Sequence, residues 1–160
     1  MTESLNAIRT LGLAPVFEDL YFGREVPSNL QIAMRYPTEF HNTTLDEWKP
    51  LTEGSLIPIV DDGNFSSICL FDPSKRKFVV KLIEEPARIV REFDSWQQYL
   101  AYALLEIADS GLSEEELTQL AGTIGFRHTA GLLSLLRDME TLSDDAIDER
   151  EAQFIQACAD

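Results

Sequence analysis

Long apolar runs are missing from this chain, and histidine, cysteine and basic residues are scarce. Polar turns interrupt every hydrophobic stretch well short of the ~20 residues that cross a bilayer, so no membrane-spanning helix is expected. Two cysteines, Cys69 and Cys158, are too few for a disulfide framework. One falls in a predicted strand and the other on a predicted helix face, and both read as buried reduced thiols. The two histidines, His41 and His128, lack the spacing that brings three or four metal ligands together. No glycine-rich phosphate loop precedes a helix, and no serine occupies a Gly-x-Ser-x-Gly turn. Gly122-x-x-Gly125 lacks the basic flanks of a nucleic-acid clamp. Residues 1–15 hold an early acid and no uninterrupted apolar block, which is not a secretory pattern. Without a secretory route, the triplets Asn42-Thr43-Thr44 and Asn64-Phe65-Ser66 carry no meaning as glycosylation sites. The expectation is a cytoplasmic, non-enzymatic protein with no cofactor and no metal.

What is present is acid. The 160 residues carry a net charge of −15 and are 44% hydrophobic, enough for one core or a compact domain with a helical extension. Residues 1–91 hold 13 acids and 10 bases, whereas residues 92–160 hold 15 acids and 3 bases. Such a surface repels nucleic acid and anionic lipid, whose affinity comes from Lys and Arg on phosphate. It attracts a basic protein and speeds the encounter. Solubility alone is the competing explanation for the acid.

Residues 5–40 are the least legible. Val26-Pro27-Ser28-Asn29-Leu30 reads as the start of a short helix, Leu30 to Tyr36, stopped by Pro37. Phe17, Leu20, Tyr21 and Phe22 read as core, and the polar stretch His41–Pro50 as a loop anchored by Trp48. Three β-type runs follow. Leu56–Val60 contains Pro58, which places it at a sheet edge or a bulge. Asp61-Asp62-Gly63-Asn64 is a turn, Phe65–Phe71 a strand, and Asp72-Pro73-Ser74-Lys75 the next turn. Phe78, Val80 and Leu82 then alternate with Lys77, Val79, Lys81 and Ile83, giving an antiparallel meander with one strongly apolar face.

The best-determined element is helical. Trp96, Tyr99, Leu100, Ala103, Leu104, Ile107 and Ala108 form one continuous stripe, expected to pack on the meander, with Asp94 and Gln97 as capping box and Gly111 as stop. Further helices follow. One is capped by Ser113 and Glu116, with Leu117, Leu120, Ala121 and Ile124 inward and Leu112 stapling its start on Leu117. Another spans about Thr129–Met139, with Leu132, Leu135, Leu136 and Met139 inward. An acidic one begins at Ser143, with Ile147, Phe154, Ile155 and Cys158 on one side. The fold class is therefore α+β, an antiparallel sheet packed by helices. The expected division is a domain of residues 1–111 and an acidic helical extension of residues 112–160, packed on that domain, on a partner or in a homodimer. Asp61-Asp62-Gly63-Asn64 lacks the alternating acids of a calcium loop, and the pairs Asp61-Asp62 and Glu84-Glu85 read as surface charge.

Val26-Pro27 to Leu30, Trp48, Leu56-Ile57-Pro58-Ile59, Asp61-Asp62-Gly63, Ile68-Cys69-Leu70 and Phe93 through Leu100 occur in an order that resembles the SUKH superfamily. That group includes a yeast cell-wall assembly regulator and many bacterial toxin-immunity proteins. The resemblance covers roughly residues 25–108. Tyr36-Pro37-Thr38 stands where the family has an Asn-Gly-Gly type stop, Asp62-Gly63-Asn64 has less glycine than its turn, and Leu112–Asp160 lies outside the pattern. The resemblance implies an α+β sheet packed by helices and a non-enzymatic role, in bacteria the neutralisation of a secreted toxin such as a nuclease or deaminase. It supplies no transferable site residues.

A toxin with a nucleic-acid cleft must be positive, so the expected partner is a basic toxin domain. The expected partner-binding residues are Asp61, Asp62, Asp72, Glu84 and Glu85, with the acidic stretch Asp144–Glu151 as an equal candidate. The alternative is a general adaptor that binds a peptide through an apolar groove.

Overall fold

The computed structural model describes residues 2–38 and 46–159; the side chains of residues 46–48 are not described. His41, the triplet at residues 42–44 and the anchoring role expected of the Trp48 side chain thus lie outside the described residues. The chain is α+β and divides into two compact units, Met1–Asp94 and Ser95–Asp160.

The first unit begins with α1 (Glu3–Thr10), α2 (Val16–Tyr21) and α3 (Ser28–Gln31). The helix expected over 30–36 is a single turn. It ends early because Arg35 is drawn into an extended bridge with Asp61, its carbonyl accepting from the Asp61 amide at 2.9 Å. Phe17 is buried as expected. Phe22 is not: it is exposed and lies beneath the Arg24 guanidinium, 4.7 Å from its ring centre. A 3₁₀ helix, Asp46–Thr52, occupies part of the expected loop.

Four antiparallel strands follow in meander order: β1 (Ile57–Asp61), β2 (Ser67–Asp72), β3 (Lys77–Leu82) and β4 (Ile89–Phe93). Pro58 sits where expected, on an edge strand beside a bulge, because proline has no N–H to give the ladder. The fourth strand was not expected, since the link Glu84–Arg88 hides its start. The β2–β3 turn closes with Arg76 in the left-handed region. The face of β3 read as half-polar is buried too. Val79 packs with Leu51, Leu56, Ile68 and Leu70, each worth roughly 1.5–3 kcal/mol before chain entropy is charged. Lys81 shares that face, and its ammonium donates to the Pro50 carbonyl at 2.6 Å.

The second unit is helical: α4 (Trp96–Ala108), α5 (Glu114–Thr123), α6 (Thr129–Met139) and α7 (Asp144–Ala157). The expected stripe of α4 is right, but nine of its thirteen residues are buried, so it is enclosed on more than one side. Its cap is Ser95, which accepts from the Gln98 amide, one residue later than the expected Asp94. The expected boundary lay near Gly111; the compact units divide at Ser95. Polar groups of the first turn of α4 bond to residues later in the chain. Gln97 donates to the Gly125 carbonyl and accepts from the Arg127 amide, both at 2.9 Å. Gln98 donates to the Gln156 carbonyl, and Ser95 Oγ to that of Cys158, each at 3.3 Å. The Ser113–Glu116 capping box forms, and Leu117, Leu120, Ala121 and Ile124 are buried. Gly111 ends the helical geometry with φ of 87°.

Candidate functional site

The expected partner-binding acids do not form one surface. Ser67 of β2 pairs with Leu82 of β3, and Asp72 pairs with Lys77. Asp61, Asp62, Glu84 and Glu85 therefore gather at one end of the sheet while Asp72 lies at the other, roughly 17 Å away along a six-residue strand.

Their side chains are also committed internally. Asp61 is fully buried: Arg35 Nε stands 3.2 and 3.1 Å from its two oxygens, and the Gly63 amide donates at 2.7 Å. Gly63 is required there, because φ is 81° and a Cβ would lie 2.5 Å from the Ile32 carbonyl oxygen. Asp62 is half-buried and folds back on its turn, accepting from Asn64, Ser66 and Ser67 amides and from Ser66 Oγ. Asp72 is buried. It accepts from Ser74 Oγ and from the Ser74 and Lys75 amides, which hold its carboxyl below the usual range. Asp61 and Asp72 are thus turn-building residues, and Asp61 is no surface charge. Glu84 and Glu85 are exposed, with Glu85 paired to Arg88 at 3.1 Å. Nearby charge is balanced: Lys77 meets Asp94 at 3.1 Å, and Lys75 meets Glu92 at 3.8 Å.

The second unit is different. Residues 95–160 hold thirteen acids against three bases. Arg137 is clamped by both carboxylate oxygens of Glu114, at 2.8 and 2.7 Å, and Arg150 meets Asp138 at 3.3 Å. Some acids serve the helices themselves: Glu114, Glu115 and Glu116 open α5, and Asp144 and Asp145 open α7, where the helix dipole favours them. Glu151 has no such excuse. Its carboxyl is pushed up by burial and then by Asp109, Asp148 and Glu106, so among the described residues the charges acting on it are acids. Glu106, Asp109 and Asp148 are exposed, and Glu151 is half-buried between them. This patch lies on one flank of α7, a helix with no fully buried residue. Glu106 with Asp109, and Asp148 with Glu151, are i,i+3 pairs on or beside helices. That spacing is the signal by which the sequence could have revealed them.

Among the described residues, no three His, Cys, Asp or Glu side chains converge as metal ligands. Both cysteines are free and buried. Burial pushes the Cys158 thiol up to about 11 and the Cys69 thiol well above its usual value, so neither is a thiolate at neutral pH. His128 begins α6 with its ring against Phe126, centres 5.8 Å apart. Among the described residues, no helix is long and apolar enough to cross a membrane. Compared with known proteins, the chain matches no family model, no curated protein and no solved structure.

Proposed function

We propose that this chain is a non-enzymatic, cytoplasmic binding protein that neutralises a basic partner, a toxin domain with a nucleic-acid cleft, through the carboxylates of its second unit. The observation that carries the reading is Glu151, half-buried beside the acids Glu106, Asp109 and Asp148, which raise its carboxyl further. Like charges held together cost the fold energy, and a cationic partner recovers that energy on binding. The sheet acids fit the role poorly, since Asp61, Asp62 and Asp72 are spent on turns. The resemblance of residues 25–108 to the SUKH superfamily supports the same reading, as immunity is a common role in that group.

Co-expression tests it. The chain should rescue growth of cells that express the toxin gene lying beside its own, and the two products should co-purify. Replacing Glu106, Asp109, Asp148 and Glu151 together by their amides should abolish rescue and weaken binding at least tenfold. Raising salt from 50 to 500 mM should weaken the unsubstituted pair. Affinity indifferent both to salt and to the four substitutions would refute the proposal.

A further inference from the structure

We infer that the groove between α6 and α7 receives a basic amphipathic helix of the partner; this rests on the acidic-surface reading above. The two helices form a hairpin joined by residues 140–143. Two adjoining depressions, of ≈480 and ≈290 Å³, run along it and share Asp138, Arg150 and Gln153. Leu135, Leu142, Ala146 and Phe154 give the groove its apolar lining, and Leu142 is left exposed. On one wall the Phe154 ring sits close to Gly131, where a Cβ would come within 3.1 Å of Phe154 Cε2 and push the ring slightly away.

Charge selects the occupant. Asp138 and Glu149 line the groove against one base, Arg150, and exposed Glu140, Asp144 and Asp145 lie in or beside the connection between its two helices. A second copy would bring the same excess against itself, and an acidic peptide or nucleic acid would be repelled. A helix with apolar residues at i, i+3, i+4 and i+7 lays them along such a groove, and lysines on its flanks meet the acidic rim. The Asp138–Arg150 pair is half-exposed on both sides, so an incoming cation can exchange into it.

The test uses a labelled 18-residue Lys/Leu peptide with its leucines at helical spacing, read by fluorescence anisotropy. Two controls accompany it: a scrambled peptide of equal composition and a version with Glu for Lys. The patterned basic peptide should bind at least tenfold tighter than the scrambled one. A146W, which fills the groove, should erase that advantage. Q153R, which places a cation in it, should do the same if A146W fails to fold by circular dichroism. Equal binding of patterned and scrambled peptides would overturn the groove while leaving the acidic surface intact. Binding of the Glu peptide as tightly as the Lys peptide would overturn both. Dimerisation of the unsubstituted chain that A146W reverses would give the groove to a second copy and overturn this inference alone. Failure of every peptide would do the same, since growth rescue judges the function separately.

Discussion

Arg35 Nε lies almost equidistant from the two oxygens of Asp61, at 3.2 and 3.1 Å, while the backbones of the same two residues form an isolated β-bridge. The link joins the segment after α3 to the end of β1, 26 residues later. Asp61 is wholly enclosed whereas Arg35 reaches solvent, so the pair is asymmetric. Removing the arginine takes the cation from beside a buried anion; removing the acid leaves a cation that water can reach. Arg35→Met should therefore destabilise the chain by about 3 kcal/mol, and Asp61→Asn, which keeps an acceptor for the Gly63 amide, by about 1–2 kcal/mol. Urea denaturation of both variants measures the order, and a reversed order would refute it.

Lys81 predicts an unusual pH response. Burial lowers its ammonium from the ordinary 10.5. Between the lowered folded value and 10.5 the unfolded chain holds more protons, so this residue makes stability rise with pH across that window. At neutral pH it is a penalty. Lys81→Met should be at least as stable as the parent at pH 7, because water can reach the half-buried Pro50 carbonyl, and the gap should close as pH approaches 10.5. Thermal melts at pH 7 and pH 10 decide it.

Gln97 should be sensitive to any change of hydrogen-bonding type. It satisfies one acceptor and one donor of the connection between α5 and α6. Gln97→Leu leaves both backbone groups without it and should cost on the order of 2–3 kcal/mol. Gln97→Glu keeps the acceptor for Arg127 but buries a carboxylate oxygen against the Gly125 carbonyl, so at neutral pH it should cost at least as much. Gln97→Glu costing less than Gln97→Leu in urea melts at pH 7 would contradict this account.

Glu151→Gln should stabilise the chain at neutral pH. The folded carboxyl is raised above its ordinary 4.5, so the penalty is complete once it ionises and is relieved as pH falls. The variant should melt on the order of 1–2 °C higher at pH 7. The difference should vanish below about pH 4.5, where both side chains are neutral. Melts at pH 7 and pH 4 report both halves.

The periodic elements were legible because their signals are local. The stripe of α4, the Ser113–Glu116 box of α5 and the proline of β1 are each set by residues within a turn or a ladder step. Burial of polar groups was not legible, because it depends on partners distant in sequence. Arg35 is far from Asp61, Pro50 from Lys81, and Gln97 from Gly125 and Arg127. Asp61 read as surface charge for that reason: an acid in a turn looks the same in sequence whether it points outward or builds the turn. The grouping of Glu151 with Glu106 and Asp109 needed α4 and α7 to be packed side by side.

Ser95 and Gln98 bond the carbonyls of Cys158 and Gln156, so the opening residues of the second unit hold its closing ones. Helix ends ordinarily fray alone and at little cost. Here, loosening the end of α7 also removes the partners of two side chains at the start of α4. Residues 95–98 and 156–158 should consequently exchange their amide protons as one cooperative group, and this seam would break early under a mechanical pull on either end.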